Sequence, residues 1–194
     1  MIRELRGDRD TYLEPFLGAG CVALQAAPEF PRVVLADAVP DLVLLWRAVL
    51  DGWVPPTTLT EEDYRALRHA EPSALRGFAG FPCSFGGKWF GGYARDPKGG
   101  RNFAESASRS MVKRAAALQG AELHLADYRA TAGLVDLPDT VVYADPPYAG
   151  TTAYGAAEPF DSEAFWDTMR AWAIQGALVL VSEYAAPADA GAAA

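Results

Sequence analysis

Cysteine and histidine are nearly absent from this chain of 194 residues, with two of each. Cys21 and Cys83 are too few for a disulfide framework or a cysteine-based zinc site, and His69 and His124 stand isolated. These shortages predict a metal-free protein of the cytoplasm. Long hydrophobic runs are missing too, and none approaches the roughly 18–20 apolar residues that span a membrane. The opening MIRELRGDRD is charged and has no apolar h-region, so it does not read as a secretory signal. Positive charge is in deficit, with a net charge of −8, which for a chain as a whole argues against a nucleic-acid partner.

What is present points elsewhere. Apolar residues make up 51% of the chain, enough to bury the core of one α/β domain spanning 1–194. The charge is unevenly spread. Residues 86–114 hold Lys88, Arg95, Lys98, Arg101, Arg109, Lys113 and Arg114 against Asp96 and Glu105, a net +5 on a body of −13. A solvated basic loop is the plain explanation, and a phosphate-contacting segment is the functional one.

Apolar β-branched runs alternate with helical patterns. Strands are predicted at 11–16, 33–37, 122–128, 140–148 and 177–184, and helices at 20–27, 41–53, 102–120 and 161–176. Pro55-Pro56 should end the second of these helices, Gly120 the third, and Asp161 should cap the last. Thr60 with Asp63 reads as a capping box. Residues 77–102, rich in glycine and aromatics, read as an irregular, exposed insertion. The order implies a mostly parallel, doubly wound sheet with ligands at the carboxyl ends of its strands.

Acids stand at four strand ends: Glu14, Asp37, Asp127 and Asp145. Capping a helix is the competing role for each. Gly18 and Gly20 follow the first strand and open a helix, where backbone can approach a ligand closely. Asp37 lies about 20 residues on, a spacing that suits a carboxylate accepting ribose hydroxyls. The loop lacks the third glycine of the dinucleotide fingerprint, which favours a nucleoside ligand without pyrophosphate. VVYADPPY ends its strand in an acid, two prolines and a ring. The amino nitrogen of adenine or cytosine is a poor nucleophile, its lone pair delocalised into the ring. The Asp145 carboxylate and a carbonyl beside Pro146 can accept its two N–H bonds and stabilise the charge developing on attack. Pro146 and Pro147 stiffen the turn, and Tyr148 offers a face for an extruded base. A tight β-turn with a packed tyrosine is the structural alternative.

EPFLGAG (14–20) followed by DPPY (145–148) resembles the N6-adenine DNA methyltransferases of the Dam-like D12 class. The order of the motifs is that of the α group. FGGKWFGGYARD (85–96), RNFAESASRS (101–110) and VSEYAAP (181–187) resemble phage-type members, and LADY (125–128) resembles the acidic-aromatic motif beside the cofactor adenine. The resemblance implies a Rossmann-like fold using S-adenosylmethionine on double-stranded DNA, inside a bacterial host cell, where restriction-modification is one setting for the mark. It sets Glu14, Phe16, Gly18 and Gly20 at the methionine part, Asp37 at the ribose, and Asp127 with Tyr128 at the cofactor's adenine. A flipped-out adenine falls to Asp145, Pro146, Pro147 and Tyr148. Residues 55–120 would meet DNA, with Lys88, Arg95 and Arg101 on phosphates and Trp89 or Phe90 filling the vacated stack.

Against the family pattern, the short GSK-type motif ahead of the first strand and the hairpin after the fifth are missing, so the chain reads as shortened at both ends. The alternatives are an N4-cytosine DNA methyltransferase and a catalytically impaired DNA-binding remnant. A NAD enzyme would have no use for DPPY.

Overall fold

The computed structural model describes residues 2–96, 98–147 and 160–183. The chain divides into two compact units, one of residues 1–38 with 120–194 and one of residues 39–119. No helix among the described residues is long and apolar enough to cross a membrane.

The first unit is built on five parallel strands: β1 (Thr11–Glu14), β2 (Arg32–Asp37), β3 (Glu122–Leu125), β4 (Thr140–Ala144) and β5 (Leu178–Val181), in the order β3-β2-β1-β4-β5. This is the parallel α/β sheet that the alternating pattern predicts, in the Rossmann-like class that the resemblance implies. β1 and most of β2 are buried residue after residue, as parallel strands covered on both faces must be. The pleat sorts their side chains. Leu13 is in register with Val34 and Val142, and this row joins Phe165, Met169 and Trp172 in one core. Those three residues lie on the helix Ser162–Ile174, capped as expected by Asp161, whose carboxylate accepts from Ala164 N–H at 3.0 Å. Tyr12 takes the other face and meets Phe30 at 5.4 Å between ring centroids.

The strand order decides where a ligand can sit. From β1 the chain runs outward through β2 to β3, then returns to the other side for β4 and β5. The reversal lies between β1 and β4, and open α/β sheets bind ligands at the carboxyl ends of the strands at such a switch point. Glu14 closes β1 there, and Asp145 follows β4.

The second unit is inserted between β2 and β3. It contains the helices Pro40–Leu50, Glu61–Leu67, Ala74–Gly80 and Phe103–Ala117. Thr60 and Asp63 form the expected capping box. The first of these helices ends before the prolines that were expected to stop it. Gly52 adopts a positive φ of 94°, and Gly52 and Trp53 N–H bond back to Val49 and Ala48. This Schellman closure satisfies the last carbonyls without proline.

The expectation of an exposed, irregular insertion over 77–102 fails in its first part. Residues 77–80 complete the helix Ala74–Gly80 and are buried. A Cβ on Gly77 would lie 2.3 Å from the Asp41 carbonyl oxygen, and one on Gly80 would lie 2.2 Å from the Trp89 ring. These glycines allow close packing. Cys83, Ser84, Phe90 and Ala94 are buried as well.

Candidate active site at the strand ends

Tyr12 and Glu14 lie two residues apart on β1, so the pleat turns both to one face. They are 0% and 2% exposed, and the Tyr12 hydroxyl donates to Glu14 Oε2 at 2.6 Å. Burial pushes the Glu14 carboxyl up to about 8; the Tyr12 bond and the Ala23 amide pull it down, while the charges of Asp145 and Asp37 push it further up. The Tyr12 phenol is held far above the ordinary tyrosine range by burial first and by Glu14 second. Tyr12 carried no role in the sequence reading. The Tyr-x-Glu spacing in the short strand TYLE was the signal available for it.

After Glu14 the chain turns through two glycines of positive φ, 47° at Gly18 and 66° at Gly20. Leu17 N–H bonds to Ala36 O at 2.9 Å, tying the loop to the end of β2. Gly18 N–H donates to Asp37 Oδ2 at 2.9 Å. The buried Asp37 carboxylate therefore holds the shape of the loop. A side chain on Gly18 would meet nothing within 4 Å, so the space above this backbone is open.

Phe16 and Tyr128, assigned to opposite ends of the cofactor by the resemblance, stack on each other at 5.3 Å. Phe160 and Phe165 pack edge-on to Phe16 at 6.1 and 5.8 Å. The Arg129 guanidinium lies 4.8 Å from the Tyr128 centroid. The two aromatic residues thus form one wall. Asp127 takes the capping role that competes for such acids: it opens the helix Tyr128–Thr131 and accepts from Arg129 N–H at 2.9 Å.

β4 ends at Ala144, whose carbonyl accepts from Ser182 N–H at 2.9 Å. Asp145 is exposed, Pro146 buried and Pro147 half-buried. Tyr148 lies outside the described residues, as do 184–187 of the VSEYAAP segment. Glu14, Asp37 and Asp145 are thus brought to one edge of the sheet, with Asp145 and Asp37 acting electrostatically on Glu14.

In the second unit, Phe90 is buried at 5% exposure. Trp89 is half-buried, packed against Phe81 and Phe90 at 4.7 Å each, with the Arg76 guanidinium over its ring at 5.0 Å. Lys88 and Arg101 are exposed, and the Arg101 guanidinium lies 5.7 Å from the Phe103 centroid. Arg95 pairs with Glu61. Phe85, which the sequence reading passed over, is 73% exposed between Ser84 and two glycines of positive φ.

Comparison of the chain with curated proteins finds no match. Residues 2–76, which hold β1, the glycine loop, Asp37 and the first helices of the second unit, match the D12 class N6 adenine-specific DNA methyltransferase family, the family that the motifs resemble.

Proposed function

We propose that the protein transfers a methyl group from S-adenosylmethionine to N6 of an adenine turned out of double-stranded DNA. The observation that carries this reading is the gathering of Glu14, Asp37 and Asp145 at the switch point of a parallel sheet, in a chain whose residues 2–76 match the D12 class N6 adenine-specific DNA methyltransferase family.

The residues present fit such a donor. Asp145 and Asp37 oppose the ionisation of the buried Glu14, and a ligand carrying a sulfonium and an ammonium would offset that repulsion. Gly18, of positive φ and with open space above it, lets that ligand lie against backbone. Glu14, Gly18 and Gly20 would face the methionine part, with Phe16 as part of the aromatic wall. Asp37, a carboxylate about 20 residues beyond the glycine loop, would accept ribose hydroxyls. Asp127 and Tyr128 would border the cofactor's adenine. The bound donor supplies a methyl on a sulfonium, already activated for transfer.

The protein's own share is positioning and polarisation. Asp145 and the carbonyl beside Pro146 accept the two N–H bonds of the target amino group, which localises its lone pair and stabilises the positive charge that grows on nitrogen. Pro146 and Pro147 leave that turn little entropy to lose on binding. Tyr148 would stack on the extruded base. On the DNA side, Lys88 and Arg101 offer cations to phosphates, with Arg95 in reserve behind its Glu61 pair. Trp89 supports the loop from within. Phe85 is the ring in this segment that faces solvent.

The test is transfer of labelled methyl from S-adenosylmethionine to unmethylated duplex DNA, followed by nucleoside analysis. N6-methyladenine is the expected product. N4-methylcytosine would change the base and keep the chemistry. DNA binding without transfer would overturn the enzymatic reading in favour of an impaired remnant.

A further inference from the structure

The Tyr12–Glu14 pair has no role in the methyl-transfer chemistry above beyond Glu14's contact with the donor. It is nevertheless an unusual thing to bury. A carboxyl closed off from water at the end of a central strand keeps its charge only if something replaces the water. Around Glu14 the replacements are a phenol hydroxyl at 2.6 Å and the Ala23 amide. The titratable groups acting on it are that phenol, Asp145 beyond β4 and Asp37 on β2, and both acids oppose its ionisation. Tyr143 acts in turn on Tyr12. A group so placed holds its proton until a cation arrives.

We propose that Tyr12 and Glu14 form a proton-linked latch for the cationic end of the methyl donor. Tyr12 holds the Glu14 carboxyl at the edge of the sheet, and the arriving cation drives the Glu14 proton to solvent. Tyr12 is thus a positioning residue that acts through Glu14. This inference rests on the proposed use of S-adenosylmethionine. In the free protein Glu14 is protonated at neutral pH, since burial lifts it to about 8. Bound to the donor it is ionised, and the Tyr12 hydroxyl, which cannot give up its own proton there, donates to the charged form. Donor affinity should therefore rise with pH up to the midpoint of free Glu14 and level off beyond it.

The experiment is isothermal titration of the full chain with S-adenosylmethionine in buffers of different ionisation enthalpy, across a pH series. The wild type should release a proton to the buffer on binding the donor at neutral pH, because burial holds free Glu14 protonated. Glu14→Gln should bind with no proton released and no pH dependence from this site. Tyr12→Phe should lose about tenfold in affinity at neutral pH, the cost of a hydrogen bond to a charged group, and recover part of it as pH rises. A merely structural role for Tyr12 would lower affinity equally at all pH values, and that result overturns the latch. Donor binding with no proton released by the wild type also overturns it while leaving the cofactor reading intact. Absence of donor binding at every pH removes both.

Discussion

Two glycine-rich loops, one in each unit, use the same local chemistry for opposite ends. The loop after β1 has positive φ at Gly18 and Gly20, and the loop at 84–93 has it at Gly86, Gly87 and Gly92, with Phe90 also positive at 42°. The first is held by a carboxylate: Asp37 accepts from Gly18 N–H, and the buried acid Glu14 precedes it. The second is held by a buried hydroxyl. Ser84 Oγ lies 2.8 Å from the Tyr64 hydroxyl and donates to the Ala79 and Gly80 carbonyls, while an isolated bridge joins Ser84 to Tyr93. The first loop lies where Asp37 and Asp145 act on Glu14 at the strand ends. The second presents Lys88 and Phe85 to solvent. Glycine supplies the turn in both; the groups that anchor the turn decide what it can meet.

That contrast can be broken at its strongest point first. Glu14 titrates above its unfolded value of 4.5, at about 8, so the folded state holds an extra proton between these two values. Its contribution to stability is full below the lower one and is lost as pH rises through the upper one, on the order of 5 kcal/mol in all. Urea denaturation of the wild type should show the first unit weakening across this window, and Glu14→Gln should remove that part of the slope. An unchanged slope would mean that Glu14 is charged in the fold.

Asp145→Ala comes next. It should cut methyl transfer by at least about 10³-fold, roughly 4 kcal/mol of transition-state stabilisation, with S-adenosylmethionine binding retained in titration calorimetry. An equal loss of donor binding would move Asp145 from the base clamp to the cofactor site.

The second unit has its own buried acid, and here the partner is a cation. Asp41 accepts from Arg76 at 2.8 Å and from Ser73 N–H at 3.0 Å. Asp41→Ala should cost about 3 kcal/mol, at the low end for a broken buried pair because Arg76 also donates to the Leu67 carbonyl. Thermal unfolding measures it. A loss under 1 kcal/mol would show the pair to be solvated.

The smallest effects belong to the exposed cations. Lys88→Ala and Arg101→Ala should each reduce the salt dependence of DNA affinity by about 1 in slope, read from fluorescence anisotropy at several salt concentrations. Arg95→Ala should change the slope less, since Arg95 is already paired with Glu61. Equal slopes in all three variants would place the phosphate contacts elsewhere.

Much of this was legible along the chain, for reasons that are local. Apolar β-branched runs marked the strands and period-3.6 patterns the long helices, and Thr60–Asp63 and Asp161 announced their caps because a cap is made within four residues. The acids at 14, 37, 127 and 145 were visible as punctuation, and the prolines at 146 and 147 as a stiff turn. Other features depended on partners far away in the chain. Gly77 and Gly80 looked like flexible loop residues, and only the Asp41 backbone and the Trp89 ring show that they are packing contacts. Four aromatic rings, Phe81, Phe85, Trp89 and Phe90, stand within ten residues and cannot be ranked by sequence. Packing buried Phe90, half-buried Phe81 and Trp89, and left Phe85 outside.

The sequence by itself determined the elements, their caps and the chemical character of each strand end, because these follow from backbone sterics and side-chain periodicity over a few residues. Tertiary structure alone decided the order β3-β2-β1-β4-β5, and with it the meeting of Glu14, Asp37 and Asp145. Parallel strands pair across long stretches of chain, and β1 pairs with β4 from 129 residues away, Thr11 with Thr140. No local propensity records which neighbour a strand will choose. The pleat of one strand set a phenol beside the Glu14 carboxyl, and packing in the sheet closed both off from water.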